Sequence, residues 1–461
     1  MVGWSCAVFA VVRDHYLNFR LARFDLGNMV QAVWSTTHGR PLELTSGATG
    51  EQVSRLASHV DPILAALAPL WAVFPTPLAL AGVQVGAVAL GALPVFWLAR
   101  RHLESERAAG ILAFAYLAYP WVAWTAVDVF HPVTLGIPLL LFAIWFLDSD
   151  RLLPFAVCAV LTAASGELMA IVVAGLGVWY AVARGRRRSG LAIAALSVGW
   201  TVVALYVVVP AFADARSVFF GAYDGVGGSP AGIAETSLTD PGAVLGAIFE
   251  PRDLLYVLLL AIPVGGAFVL APGLALLAVP QLGANVLADF GSTTDPHAHY
   301  IAGIVPFVFG AIAIGLGRVV PAGRVRGAVF VLTLSVAATI AAGPWPGALV
   351  GTPTFFRTNT APGFLQSIRE AVALVPEDAP VAATNRVGSH LSDRRFIYSV
   401  PNVGRAEWIV IDVADTWVPR TFGGGFDPEA LEAFQKRIAT SREWRKVFED
   451  HGVLVYRRID R

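Results

Sequence analysis

The chain has 461 residues, of which 56% are hydrophobic and 14% charged, with a mean hydropathy of +0.64. A soluble globular chain carries about 25% charged residues, so this composition excludes an ordinary soluble domain and gives a polytopic α-helical membrane protein. Lys plus Arg and Asp plus Glu both number 33, so net charge offers nothing to a nucleic acid. Cys6 and Cys158 lie in apolar runs, form no C-x-x-C pair or disulfide framework, and read as small buried apolar residues.

In chain order, the first apolar run covers residues 2–12. At 1.5 Å per residue it would cross roughly half of a ~30 Å hydrocarbon core. Arg13 follows the run instead of preceding it, which is not the order of a signal peptide. The run reads as the tail of a membrane helix whose start is missing from the reading frame, or as an interfacial helix. Residues 13–62 form a polar, partly helical loop with turn signals at Gly39-Arg40-Pro41 and Ser46-Gly47. Residues 63–74 are apolar but too short to span, and read as a helix lying against the membrane. Spans are then expected at 78–99, 108–127, 133–147, 152–165, 168–183, 191–209, 254–270, 274–287, 301–316 and 328–342. With the first run, that is about eleven. A loop of roughly forty residues separates the spans on either side of it, up to Arg252.

Loop charge orients the spans, because Lys and Arg concentrate in cytoplasmic loops. Arg100, Arg101, Arg107, Arg151, Arg184, Arg186, Arg187, Arg188, Arg318, Arg324 and Arg326 fall on one side. Leaving aside the first loop and the tail, the other side has only Arg216 and Arg252. The first loop, the turn at Glu167, the long loop, the His297–Tyr300 loop and the C-terminal tail are therefore expected outside. Arg13, Arg20, Arg23, Arg40 and Arg55 make the first loop an exception to the rule.

The chain divides into a membrane domain, residues 1–350, and an extracytoplasmic α/β domain, residues 351–461, whose character changes at about Thr352. Helices are expected at 361–375 and 428–440, and buried strands at 380–384, 396–399, 408–412 and 453–456. Gly423-Gly424-Gly425 reads as a flexible loop, not a phosphate cradle.

Polar residues gather at the expected outer ends of the spans. Asp25, with His59 and Asp61, brackets the first loop and can act as general base on an acceptor hydroxyl. The plainer role of Asp25 is to cap the helix that begins near Leu26, since Asp is a favoured N-cap. Glu167 is a second carboxylate for the same cleft. Gln31, Trp34, Asp61, His131, His299 and Tyr300 are candidate substrate contacts, and Arg252 a phosphate contact. His297-x-His299 beside Asp295 is compatible with a divalent cation, although no metal ligand set is assigned.

The run Phe24-Asp25-Leu26-Gly27, then Gln31-x-x-Trp34, His59-x-Asp61-Pro62 and Gln84 resembles the domain-of-unknown-function 2079 family of polytopic membrane proteins. Gly166-Glu167 stands where that family carries a Lys-Glu-Asp-like run, and His299-Tyr300 and Thr384-Asn385 also match. The family in turn resembles the GT-C glycosyltransferases, which place an acid in the first outside loop. The resemblance implies a cell-membrane, multi-pass enzyme of the cell envelope. It would pass a sugar from a polyprenyl-phosphate donor to an extracytoplasmic glycan, lipid or protein acceptor, with Asp25 as base and Glu167 and His59 beside it. Two other classes compete. A transporter or flippase would place charges near the midplane and show paired broken helices. A cell-envelope scaffold would have no catalytic acid.

Overall fold

The computed structural model describes residues 1–213, 217–349, 361–420 and 424–459. The expected start of the tail at Thr352, the orienting Arg216 and the first glycine of the triple run, Gly423, lie outside them. Helices dominate up to residue 342. Many begin on a proline in the first turn, including Pro77, Pro120, Pro251, Pro272 and Pro321. There the missing N–H costs nothing and the fixed φ is already helical.

Among the described residues, three helices are long and apolar enough to cross a membrane: Pro77–Leu103, Arg187–Ala213 and Pro321–Ala342. A fourth candidate, Glu106–Ala118 with Pro120–Val127, bends by 50° at Pro120, which cannot donate to the preceding turn. The other expected spans 133–147, 152–165, 168–183, 274–287 and 301–316 appear as apolar helices of 10–17 residues. Residues 254–270 are not one span. Helix Pro251–Ala261 gives way to two short turns around Gly265 and Gly266, both with positive φ. The long loop is not plain loop either, for it holds helices Pro230–Thr239 and Pro241–Ile248. Large apolar side chains such as Leu153, Val182, Leu196, Leu258 and Ile340 stay exposed. Such a surface is stable only against lipid or a partner, and the helix lengths favour lipid.

The first helix, Val2–Leu17, runs five residues past the expected end of the apolar run and through Arg13. The following loop contains a hairpin, β1 Glu43–Thr45 and β2 Gln52–Ser54. The tail folds as expected in outline. Strands β3 Val381–Ala383, β4 Ile397–Ser399 and β5 Trp408–Asp412 form, as do helices Pro362–Ala373 and Pro428–Thr440. A second small hairpin pairs β6 Trp417–Pro419 with β7 Gly424–Phe426, so part of the glycine run is strand instead of loop. Strands β8 Trp444–Asp450 and β9 Val453–Arg458 complete a five-stranded sheet ordered β4-β3-β5-β9-β8, parallel in its first three strands and antiparallel in the rest.

The tail does not stand alone. Phe19 of the first loop belongs to its apolar core, and the His390 ring stacks on Tyr16 and Phe19. Arg23 is fully buried; its guanidinium donates to Ser399 Oγ (2.8 Å), Ile397 O (2.7 Å) and Thr45 O (2.8 Å). Gln31 Nε2 donates to Thr45 Oγ1 and to the carbonyls of Arg394 and Arg395, while its Oε1 accepts from Thr45 N. The first loop and the tail are thus sewn together.

Arg23→Leu would leave a hydroxyl and two carbonyls without their donor, at about 1–3 kcal/mol for each buried orphan. A fall in unfolding temperature of the detergent-purified chain is expected, with Arg23→Lys recovering only part because it lacks the planar fork. An unchanged midpoint for Arg23→Leu would contradict this reading.

Candidate active site

Residues 23–27 form a single π-helical turn between Ala22 and helix Asn28–Thr37. Such a turn holds one residue more than an α-turn and recurs at functional sites. Asp25 lies in its middle. Its carboxylate caps neither this turn nor the next helix. Instead Asp25 Oδ1 faces His131 Nε2 at 3.7 Å, an ion-pair distance, with the Asp25 side chain 37% exposed and His131 13%.

His131 is held from the far side. Its Nδ1 donates to Val129 O at 2.8 Å, which turns Nε2 toward Asp25. Gln84 fixes its backbone: Oε1 accepts from His131 N (3.0 Å) and Thr134 Oγ1 (2.9 Å), and Nε2 donates to the carbonyls of Thr125 and Asp128. The His299 ring stacks on His131 with centroids 3.5 Å apart and planes 17° from parallel. Asp128 Oδ2 accepts from both the backbone N (3.0 Å) and Nδ1 (3.2 Å) of His299. The Tyr300 ring lies 4.2 Å beyond.

Charge and burial oppose each other in this group. Burial alone would raise the Asp25 carboxyl, but contact with His131, and the charges of His131, His299 and Arg55, hold it below the ordinary carboxylate range. Burial alone would lower His131, yet Asp25 and Asp128 carry it above the usual histidine value. His299 goes the other way, down to about 4, through burial and then the neighbouring charge of His131. These shifts favour an ionised Asp25 against a protonated His131, with His299 neutral and its Nδ1 hydrogen on Asp128.

A second group adjoins the first. Glu167 Oε1 meets His59 Nδ1 at 3.1 Å, and Oε2 accepts from Val60 N at 3.1 Å. Burial would raise this carboxyl, but the His59 charge and these hydrogen bonds bring it down to about 2. Arg55 grips the buried Asp61 through Nε (3.0 Å) and Nη2 (2.9 Å). It also ties the groups together, because its charge acts on Asp25 while Asp61 feels His59 and Glu167.

The remaining expected contacts lie elsewhere. Gln31 is fully buried and its amide is spent on the loop–tail seam, so it is not free for substrate. Trp34 stacks on His38 at 4.1 Å under Arg40. Arg252 is taken by Glu250 (2.9 Å) and Asp253 (3.4 Å). The His297-x-His299 pair is split: His297 pairs with Asp295 at 2.5 Å and stands edge-on to Trp121 and Trp124, while His299 joins His131. A cation could instead be offered Asp128, His131 and His299, whose donor atoms lie within 4.8 Å of one another. The two rings are nearly parallel, however, so their in-plane lone pairs do not converge, and Asp128 is engaged by His299. Metal binding would require the stack to open. A cavity of about 470 Å³ opens at the loop–tail seam, lined by Glu51, Gln52, Arg395, Phe396, Tyr398 and Arg405, and does not include Asp25.

Sequence reasoning set Asp128 among the outer polar groups and Gln84 in the family motif, but gave neither a role in the site. Their signal was present: Asp128 is the one acid between Arg107 and Asp148, three residues before His131, and Gln84 is the one polar amide of its span.

At the opposite end of the helices the arginine-rich turns meet one another. Asp148 is ringed by Arg101 (3.1 Å), His102 (3.0 Å) and Arg184 (3.6 Å), Asp150 pairs with Arg186 (2.9 Å), and Glu104 with Arg324 (2.8 Å). The acid–histidine group and the arginine group are thus segregated.

The family described as predicted membrane protein (DUF2079) matches residues 15–449. Two solved structures share the fold. ArnT from Cupriavidus metallidurans bound to undecaprenyl phosphate superposes with a TM-score of 0.55 at 11% identity, covering 99% of this chain and 98% of that one. ArnT from the same organism in the apo state gives 0.51 at 12% identity with the same coverage. No curated protein matches the sequence.

The Asp25–His131 pair predicts a pH signature. Asp25, depressed when folded, contributes stability above its unfolded pKa of about 3.9 and loses it as pH falls through the folded value. His131, raised when folded, contributes fully below about pH 6.5 and loses its share as pH rises through the folded value. The unfolding temperature of wild type minus His131→Gln is therefore expected to be largest between about pH 4 and 6.5 and to shrink at higher pH. A difference that stays constant from pH 5 to 9 would remove the charge pair.

Proposed function

We propose that this chain, which belongs to the DUF2079 family of predicted membrane proteins, is a GT-C-type glycosyltransferase. It transfers a sugar from a polyprenyl-phosphate-linked donor to an acceptor on the extracytoplasmic side. The observation that carries the reading is Asp25: a carboxylate from the first loop, freed from capping and faced by His131, at the end of the helices opposite the arginine-rich turns. A fold shared with a protein that binds undecaprenyl phosphate supports the lipid-linked donor. The exposed apolar helix faces supply a surface for its tail.

The chemistry follows from the charges. An ionised Asp25 accepts a hydrogen bond from the acceptor hydroxyl and takes its proton as the hydroxyl oxygen bonds to the sugar anomeric carbon. The bond from that carbon to the phosphate oxygen breaks, and the electron pair leaves with the phosphate. Cationic His131 balances the charge on Asp25 before transfer. His299, neutral and fixed by Asp128, offers Nε2 as an acceptor for a second sugar hydroxyl. Glu167, bonded to His59, and Tyr300, beside the His299 ring, add further polar groups.

Sidedness follows the arginines, which mark the cytoplasmic face by the positive-inside rule. A phosphatase reporter fused after Arg461 is expected to be active and a cytoplasm-dependent reporter at the same position silent; the opposite pattern would reverse the orientation.

Asp25→Asn keeps size and hydrogen bonding but cannot take a proton. With purified chain and a polyprenyl-phosphate-linked sugar, transfer is expected to fall about 10²–10⁴-fold while donor binding persists. Transfer by Asp25→Asn near the wild-type rate would rule Asp25 out as base.

A further inference from the structure

The turn that carries Asp25 starts after Ala22, whose side chain has no acceptor. The N–H groups of a first helical turn have no partner within the helix and must find one. Counting from Ala22 as N-cap, Asp25 is at the third position, from which a carboxylate readily reaches back to those groups. It does not. Phe24 N donates instead to Asn385 Oδ1 at 2.9 Å, a residue 361 positions away in the tail.

Asn385 is built to stay there. It is 7% exposed and opens the short helix Asn385–Gly388 directly after β3 and Thr384. Thr384 Oγ1 accepts from Asp412 N (3.0 Å), and Arg386 N donates to Asp415 Oδ2 (2.7 Å), so both neighbours are pinned to the β5 end of the sheet. The turn is pressed against this socket. The Phe24 ring lies 5.0 Å from Trp417. A Cβ on Gly27 would stand 2.4 Å from Ser392 Oγ, and one on Gly388 would stand 2.8 Å from the Arg23 side chain.

We infer that Asn385 is a positioning residue: it caps, from the tail, the turn that carries Asp25, and so leaves the Asp25 carboxylate to face His131. The cap rests on geometry alone; its consequence for turnover rests on the glycosyltransferase reading above. The tail then assembles the site, because Asp25 is held by the sheet while His131 and His299 are held by the membrane helices. Without the cap, the carboxylate is the nearest acceptor for the orphaned N–H groups and turns back to them.

The test compares Asn385→Ala with Asn385→Asp, which keeps the acceptor oxygen, in the detergent-purified full chain. Hydrogen exchange is read on peptides spanning 22–30 and on the strands of the tail sheet. Asn385→Ala is expected to speed exchange at 22–30 at least tenfold, with the sheet unchanged, and Asn385→Asp to restore protection. In the transfer assay, kcat should fall about 10²-fold in Asn385→Ala, the scale of a displaced catalytic group, with the KM for the lipid-linked donor unchanged and kcat recovered in Asn385→Asp. Unchanged exchange at 22–30, loss of protection across the sheet itself, or failure of Asn385→Asp to rescue would each overturn the inference. Absence of transfer in wild type would overturn the proposed function instead, and the exchange data would still decide the cap.

Discussion

A guanidinium buried without a carboxylate survives only where other acceptors meet its terminal nitrogens. Arg23 meets that condition through three acceptors on two different segments, the β1 hairpin of the first loop and β4 of the tail. Much of this end of the molecule depends on that bond set. It fixes residue 23, hence the turn 23–27, hence the direction in which Asp25 leaves the chain. Gln31, one helix further on, repeats the arrangement with carbonyls of Arg394 and Arg395. Both residues are polar and both are consumed by architecture. Their exclusion from solvent is why they can position a loop that has little regular structure of its own.

The membrane part rests on a different constraint. Its helices carry few charges, and most of the arginines pair with acids at one end while most of the histidines meet acids at the other. At one end a buried Asp148 meets Arg101, His102 and Arg184, a group that ties three helix termini together. At the other end, acids meet histidines whose protonation can change near neutrality. Arginine cannot give up its proton at working pH, so the first end is suited to topology and rigidity and the second to chemistry. After the 50° bend at Pro120 the chain runs into Asp128 and His131, and Gln84 takes up the backbone groups left open where this helix ends at Val127.

What was legible in the sequence was periodicity and composition. Apolar runs gave the helices, and the tail's strands and helices were readable from alternation and length. The placing of Asp25, His59, Glu167 and His299 at the ends of apolar stretches followed from charge in an apolar background. What was not legible depends on long-range contact. Gln31 looked like a substrate ligand because nothing local revealed that Arg394 and Arg395 would claim it. The His297-x-His299 spacing suggested one site, but two residues in a short irregular stretch need not face the same way, and Trp121 and Trp124 draw His297 aside. Residues 254–270 counted as one span because hydropathy does not register the positive φ of Gly265 and Gly266. The capping role expected of Asp25 was sound local reasoning defeated by Asn385, which no window around residue 25 contains.

For the transfer proposed above, the electrostatics bear on what kind of base Asp25 would be. A carboxylate held below its ordinary range is a weak base toward a free hydroxyl, yet it remains ionised wherever the protein works. It is effective when the hydroxyl becomes acidic in the transition state, as the oxygen–carbon bond forms and positive charge develops on oxygen. The 3.7 Å separation from His131 matters in this respect. A closer, fully formed hydrogen bond would occupy the carboxylate's lone pairs and lower its basicity further, whereas removal of His131 would let burial raise the carboxyl and favour its neutral form. The pair at ion-pair distance lies between these limits: enough cationic charge to keep Asp25 ionised in a partly buried cleft, and enough open carboxylate for an incoming hydroxyl.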